Sequence, residues 1–226
     1  MSTHNKNAVI LVSGGMDSAT ALYHAINEGY TPYILHTSYG QETETKEKEC
    51  ARAITAEVGA EDFLHIETQH LSQIGASSLT DDSIDVSDAD LDSDEIPTSY
   101  VPFRNSNLLS MAVSYAEANE CEAIFIGAHA EDFAGYPDCR PEFFDAFQTV
   151  IDVGTKPDTQ IDLQAPFVEW TKTEIAEYGL ELDVPYELTW SCYKENEPAC
   201  GTCDSCALRL EAFENAGTHD PIEYQQ

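Results

Sequence analysis

The sequence predicts an α/β fold: a doubly wound, mostly parallel five-stranded sheet with a small C-terminal appendage held by a Cys₄ metal site. Short apolar runs alternate with amphipathic stretches from residue 8 onward. A glycine-rich turn follows the first run, and four cysteines crowd the C-terminal end. Strand–helix alternation of this kind builds a parallel sheet covered by helices on both faces.

Ala8–Val12 is a continuous apolar run, as in a buried parallel strand. Ser13-Gly14-Gly15-Met16-Asp17-Ser18 forms the turn after it, and Ala19–Asn27 reads as a helix with Gly29 just past its end. Pro32–His36 is the second strand, Thr43–Val58 the second helix closed by Gly59, and Phe63–Ile66 the third strand. Residues 80–97 are crowded with Asp81, Asp82, Asp85, Asp88, Asp90, Asp92, Asp94 and Glu95 and lack periodicity. They predict a mobile surface loop, with an active-site lid as the functional alternative; a calcium site is disfavoured because EF-hand spacing is absent. Arg104–Asn119 suits a helix, Ala123–Gly127 a fourth strand, Phe143–Val153 a helix, Ile161–Leu163 a fifth strand, and Thr171–Tyr178 a helix capped by Gly179. Residues 1–185 are read as the sheet domain, carrying the acidic loop as an insertion, and residues 186–226 as the metal-binding segment.

The 226-residue chain has 42% hydrophobic residues, enough for one good core. No apolar run approaches the ~20 residues that span a bilayer, and the first residues carry no secretory pattern, so a cytoplasmic location is expected. Asp and Glu number 42 against 10 Lys and Arg, a net charge of −32. Such a surface repels phosphate backbones and disfavours direct nucleic-acid binding. A dense carboxylate shell is the expected adaptation to high salt, where self-repulsion is screened. Against that background each basic residue stands out, and Arg104, Arg140, Lys172, Lys194 and Arg209 fall in or beside the motifs. They are either anion-binding groups or ion-pair partners of nearby carboxylates.

The turn after the first strand suits pyrophosphate. Two glycines let the backbone approach an anion, and the following helix offers free N–H groups and a positive dipole end. Val12, Ser13, Gly14, Gly15, Met16, Asp17, Ser18, Ala19, Thr20, Ala21 and Leu22 are the candidate ATP-binding residues. The Gly-Lys-Ser/Thr ending of a Walker A loop is missing; Asp17 stands there instead, a carboxylate that makes sense beside phosphates if it helps hold Mg²⁺. The bland alternative is a tight capped turn.

Cys192, Cys200, Cys203 and Cys206 have the short spacings of a metal knuckle. Four thiolates leave no open position, so the site is expected to be structural and zinc is favoured. Two disulfides are disfavoured by the expected compartment, while an iron–sulfur cluster shares the spacing. Of the remaining cysteines, Cys50 and Cys121 read as core; Cys139 is either a nucleophile or a buried structural thiol.

The Ser-Gly-Gly-Met-Asp-Ser loop resembles the signature of the PP-loop ATP pyrophosphatases, whose fold is that of the adenine nucleotide alpha hydrolases. Further segments narrow the resemblance: Gly135-Tyr136-Pro137-Asp138-Cys139-Arg140 after Glu131-Asp132-Phe133, Val101-Pro102-Phe103-Arg104-Asn105, Tyr39-Gly40-Gln41, and Thr189-Trp190-Ser191-Cys192-Tyr193. Together they span nearly the whole chain and are similar to the 7-cyano-7-deazaguanine synthase family. Ser38, Glu42-Thr43, Phe103 and His129 depart from the family's usual residues. The resemblance implies that 7-carboxy-7-deazaguanine and ammonia are converted to 7-cyano-7-deazaguanine through adenylated intermediates, with pyrophosphate and AMP released, in the route to queuosine or archaeosine. It also implies structural Zn²⁺, Mg²⁺ with ATP, small-molecule partners and a homodimer. Asp17, Arg104 and Lys172 are the expected catalytic residues, and Asp132, Tyr136, Asp138 and Arg140 the expected substrate-binding ones. The rival readings are a tRNA-modifying or amidating enzyme on the same fold, and a non-catalytic nucleotide-binding module.

Overall fold

The computed structural model describes residues 6–81, 83–86, 88, 96–130 and 136–225. Five parallel strands form one sheet: β1 (Lys6–Leu11), β2 (Tyr30–Ser38), β3 (Asp62–Glu67), β4 (Ala123–Phe125) and β5 (Asp162–Gln164), in the order β3-β2-β1-β4-β5. Helices α1 (Met16–Asn27), α2 (Glu44–Val58), α3 (Gln69–Ile74), α4 (Arg104–Ala118), α5 (Pro141–Gly154), α6 (Lys172–Glu181) and α7 (Asp204–Asn215) cover it. The central strand β1 is buried on both faces. Ile10 meets Ile34 on one side and Phe125 on the other, and Ala8 through Ile10 are fully buried. The continuous apolar run is therefore what a two-sided burial requires.

The two faces carry separate cores. Ala8, Ile10, Met16, Leu22, Ile34 and Ile54 pack with Tyr186, Ala212 and Phe213 on one face. Val9, Leu35, Leu109, Ala112, Ile124 and Phe144 fill the other. Because Tyr186, Ala212 and Phe213 sit in the first core, the C-terminal segment is joined to the sheet domain by packing as well as by chain continuity.

Several boundaries differ from the sequence expectation. Helix α1 begins at Met16, three residues before the expected Ala19, so Asp17 and Ser18 lie on its first turn rather than in the loop. Strand β2 runs two residues further at each end than Pro32–His36. Helix α5 begins at Pro141, a residue suited to a helix start because its missing N–H has no partner to lose there. Helices α3 and α7 were not foreseen.

Gly179 does not cap α6; the helix runs through it to Glu181. A Cβ at this position would overlap the Tyr186 hydroxyl, which hydrogen-bonds Thr20 Oγ1 at 2.8 Å and donates to the Ile175 carbonyl at 3.2 Å. Gly179→Ala is therefore expected to destabilise by about 2 kcal/mol through overpacking, although the same change in an exposed helix stabilises by about 1 kcal/mol. Urea unfolding of the variant checks it; a gain in stability would refute the close approach.

Half of the acidic segment, residues 82, 87 and 89–95, lies outside the described residues, and so does its expected lid role. Of the rest, Asp88 pairs with Lys194 Nζ at 2.7 Å, and Val86 packs against the cysteine cluster and against the Tyr39–Leu71–Leu79–Val101 cluster.

Candidate active site and metal centre

Sheet order reverses between β1 and β4, and in open α/β sheets such a point leaves a crevice beyond the carboxyl ends of the strands. The cavity here, about 200 Å³, lies at that place. Ser13 and Gly15 enter it after β1, Thr37 and Tyr39 from the end of β2, and Gly127 and Ala128 after β4.

The loop after β1 is held by its own serines. Gly15 N donates to Ser13 Oγ at 3.1 Å, Ser13 N donates to Ser18 Oγ at 3.2 Å, and Ser18 Oγ donates to the Gly15 carbonyl at 3.0 Å. Gly14 has a φ of +98°, and a Cβ there would run into the Glu47 carbonyl oxygen. Only glycine meets both demands. From the other side, Trp190 N donates to the Gly14 carbonyl at 2.8 Å. The cysteine-rich segment thus braces the loop directly.

Lys172, the first residue of α6, reaches this loop from 155 positions away in sequence. Its Nζ lies 3.0 Å from Asp17 Oδ2 and 3.3 Å from His129 Nε2, and His129 Nε2 is 3.8 Å from the same Asp17 oxygen. The α6 start is fixed by a capping box, with Glu174 N donating to Thr171 Oγ1 and Thr171 N donating to Glu174 Oε2. Burial opposes the charged form of Asp17, but the Lys172 ammonium, with His129 adding, holds its carboxyl below the ordinary carboxylate value. Asp17 Oδ1 is buried without a hydrogen-bond partner. An orphaned carboxylate oxygen beside a phosphate-type loop fits a hard cation such as Mg²⁺.

Arg104 opens α4 and also faces the cavity. Nη1 donates to the Tyr39 hydroxyl at 3.1 Å, and the guanidinium lies 5.8 Å and 6.0 Å from the Tyr39 and Tyr136 ring centres. Burial opposes its charge, yet the surrounding phenols of Tyr39, Tyr193 and Tyr136 raise its pKa further above the ordinary range. Among the described residues it makes no ion pair, so the alternative of a salt bridge to the acidic segment is not seen there.

Two of the recognised motifs meet at this helix end. Asn105 N donates to Asp138 Oδ2 at 2.8 Å, and Asn105 Nδ2 donates to the Asp138 carbonyl at 2.9 Å and to Cys139 Sγ at 3.1 Å. Asp138 is thereby engaged with the first turn of α4. Tyr136 lines the cavity, its hydroxyl 2.9 Å from Ser99 Oγ. Arg140 lies exposed at the start of α5, outside the cavity lining. Asp132 falls outside the described residues. Cys139 is buried at the cavity wall; Cys50 and Cys121 are core residues, as expected.

Arg209, by contrast, has structural partners. Arg209 is fully buried, with Nε 2.6 Å from Asp220 Oδ2 and Nη2 2.9 Å from Asp220 Oδ1. Its Nη1 also donates to Thr189 Oγ1 at 2.6 Å and Ser191 Oγ at 3.3 Å, on either side of Trp190. Glu47, which the sequence reading passed over, lines the cavity from α2. With 42 acidic residues in the chain, one functional carboxylate has no compositional contrast.

Beside the loop's Trp190, the sulfurs of Cys192, Cys200, Cys203 and Cys206 lie within 4.8 Å of one another. Four ligands at about 2.3 Å from a tetrahedral ion require sulfurs somewhat under 4 Å apart, and Cys200 Sγ to Cys206 Sγ is 3.9 Å. Backbone N–H groups aim at the sulfurs: Glu195 and Cys200 donate to Cys192, and Thr202 and Cys203 to Cys200, at 3.3–3.4 Å. Such donors stabilise thiolates, so the four residues fit a metal ion.

Comparison with known proteins agrees along the whole length. A protein of Haloarcula marismortui named 7-cyano-7-deazaguanine synthase is 72% identical over 225 residues, covering 99% of this chain and 97% of its own. One of Methanoculleus marisnigri with the same name is 53% identical over 221 residues, covering 98% and 100%. Among solved structures, NMN synthetase from Francisella tularensis aligns over 96% of this chain and 79% of its own with a TM-score of 0.50 at 17% identity. That likeness speaks for the fold alone. A family model described as queuosine biosynthesis protein QueC matches residues 7–217, and the chain belongs to that family.

Proposed function

We propose that this chain converts 7-carboxy-7-deazaguanine and ammonia to 7-cyano-7-deazaguanine at the expense of ATP. The observation that carries this reading is the Lys172–Asp17–His129 cluster beside the Gly14–Gly15 loop, with one Asp17 oxygen left over. A cradle for pyrophosphate, a cation beside it and a spare carboxylate oxygen are what cleavage between the α and β phosphates requires.

The substrate carboxylate attacks the α-phosphate, pyrophosphate leaves, and an acyl-adenylate forms. Ammonia displaces AMP, which carries off one carboxylate oxygen, and leaves the amide. The amide oxygen then attacks the α-phosphate of a second ATP, releasing a second pyrophosphate and a proton, and loss of AMP with a further proton gives the nitrile. Both carboxylate oxygens depart on AMP, so two ATP are consumed per nitrile. The loop N–H groups hold the departing pyrophosphate, and Lys172 neutralises charge growing on the α-phosphate. Asp17 Oδ1 is a ready ligand for the Mg²⁺ that accompanies ATP, an ion whose chemistry here is to offset phosphate charge. Arg104, positioned by its hydrogen bond to Tyr39, binds the substrate carboxylate bidentately, with Tyr136 beside the ring. The chain acts in the cytoplasm as a homodimer on small molecules, and its net charge of −32 speaks against nucleic acid as a direct partner.

The test is pyrophosphate release in high salt with Mg-ATP and ammonium, with and without 7-carboxy-7-deazaguanine, and mass spectrometry of the product. Acid-dependent pyrophosphate and a nitrile are expected. Release with a different acceptor only, or none with any, would reject the named substrate or the enzymatic reading.

The four thiolates are proposed to hold a structural Zn²⁺. Purified protein is expected to contain zinc equimolar with chain, and a thiol-compatible chelator should abolish cooperative unfolding. Retention of the thermal midpoint without metal would argue against this, and iron with visible absorbance would assign a cluster instead.

A further inference from the structure

Glu47 is a carboxylate at the cavity wall whose backbone is locked and whose side chain is aimed. Its carbonyl backs directly onto Gly14. Its Oε2 accepts from Gln41 Nε2 at 2.8 Å and its Oε1 from Thr43 Oγ1 at 2.6 Å. Gln41 and Thr43 are themselves buried, and the Gln41 amide oxygen is held by Tyr39 N at 2.9 Å. Both oxygens are thus oriented by neutral donors, and each keeps a lone pair. Among the described residues no cation comes within ion-pair distance of Glu47, and burial pushes its carboxyl up despite the nearby Arg104 charge. A desolvated carboxylate facing a cavity without a cation costs stability unless a ligand supplies donors.

Tyr39 and Tyr136 stand in the same cavity with Arg104, a wall suited to a flat ring. Two parallel N–H donors on one edge of that ring match the two lone pairs of a carboxylate. A guanine-type ring has such an edge, in N1–H and the 2-amino group. An adenine ring does not, because its N1 is an acceptor and would face the carboxylate repulsively.

We infer that Glu47 is a specificity-determining residue that binds the N1–H and 2-amino edge of the guanine-type ring, held for that purpose by Gln41 and Thr43. This rests on the proposed substrate, and it places ring recognition on helix α2.

The test uses Glu47→Gln and Glu47→Ala in the full-length zinc-loaded protein, with thermal midpoints to verify folding. Binding of 7-deazaguanine, which has the donor edge and no carboxylate, is measured by isothermal titration. A loss of about 10²-fold is expected in both variants, as for hydrogen bonds to a charged group, with the ATP affinity unchanged. In turnover, the KM for 7-carboxy-7-deazaguanine should rise while that for ATP stays. Equal 7-deazaguanine binding in wild type and variants would overturn the inference. So would a raised KM for ATP alone, which would assign Glu47 to the ATP ribose hydroxyls. If the wild type binds 7-deazaguanine through Glu47 but does not turn over the acid, the proposed reaction fails and the recognition stands.

Discussion

Lys172→Met is expected to lower the rate of acid-dependent pyrophosphate release about 10³-fold, the magnitude seen when a preorganised charge at a developing anion is removed. The loss should fall on kcat more than on the KM for ATP, because the ammonium is needed most where charge accumulates on the α-phosphate. Two further consequences follow from the 3.0 Å contact with Asp17. Lys172 is a main reason the Asp17 carboxyl titrates below 3.8. Its ionised form therefore adds stability that is complete above that unfolded value and lost as pH falls through the lower folded one. Without the ammonium, burial alone would raise the Asp17 carboxyl, so stability at neutral pH should fall while its further loss on acidification becomes shallower. A variant that retains turnover within tenfold, or an unchanged acid limb, would separate Lys172 from the phosphate site. Arginine is not expected to rescue, since its planar fork does not replace a compact ammonium lodged between Asp17 and His129.

Arg209→Met is expected to destabilise the fold by about 3–5 kcal/mol, leaving Asp220 charged and buried without its partner. For a chain of this size that corresponds to a fall in Tm of roughly 10 °C. Asp220→Asn should cost a similar amount for the mirror reason. A double variant, Arg209→Met with Asp220→Leu, should recover part of the loss, because replacing a buried pair by apolar groups is often neutral. The pair does more than join α7 to the C-terminal end. Arg209 also holds Thr189 and Ser191, and Trp190 between them supports the Gly14 carbonyl. Weakened ATP binding should accompany the lower Tm in Arg209→Met. Thermal unfolding and nucleotide titration of the three variants decide this. Unchanged Tm in both single variants would mean the pair is not buried as described.

Arg209 shows where sequence reasoning stops. In the sequence it was one of five basic residues near motifs, as fit for anion binding as for an ion pair. Its carboxylate partner is only 11 residues away, but 42 acidic residues leave no means of choosing Asp220 among them. Asp138 and Arg140 lie in one motif and part company in three dimensions: one is bonded to the first turn of α4, the other exposed. Gly179 looks like a helix end because glycine usually ends helices, whereas here it clears space for a hydroxyl from the next segment.

Local chemistry, by contrast, is written along the chain. Apolar runs at strand length, a glycine pair between strand and helix, and cysteines at knuckle spacing each express a constraint that acts over a few residues. They determined the doubly wound sheet, the anion-binding loop and the Cys₄ cluster. Tertiary structure alone decided which side chains meet across the switch point: Lys172 with Asp17 and His129, Trp190 with Gly14, Arg104 with Tyr39, and Glu47 at the cavity wall. Those meetings depend on strand order and helix packing between segments up to 176 positions apart, and on which charges burial leaves unscreened, neither of which a linear pattern encodes.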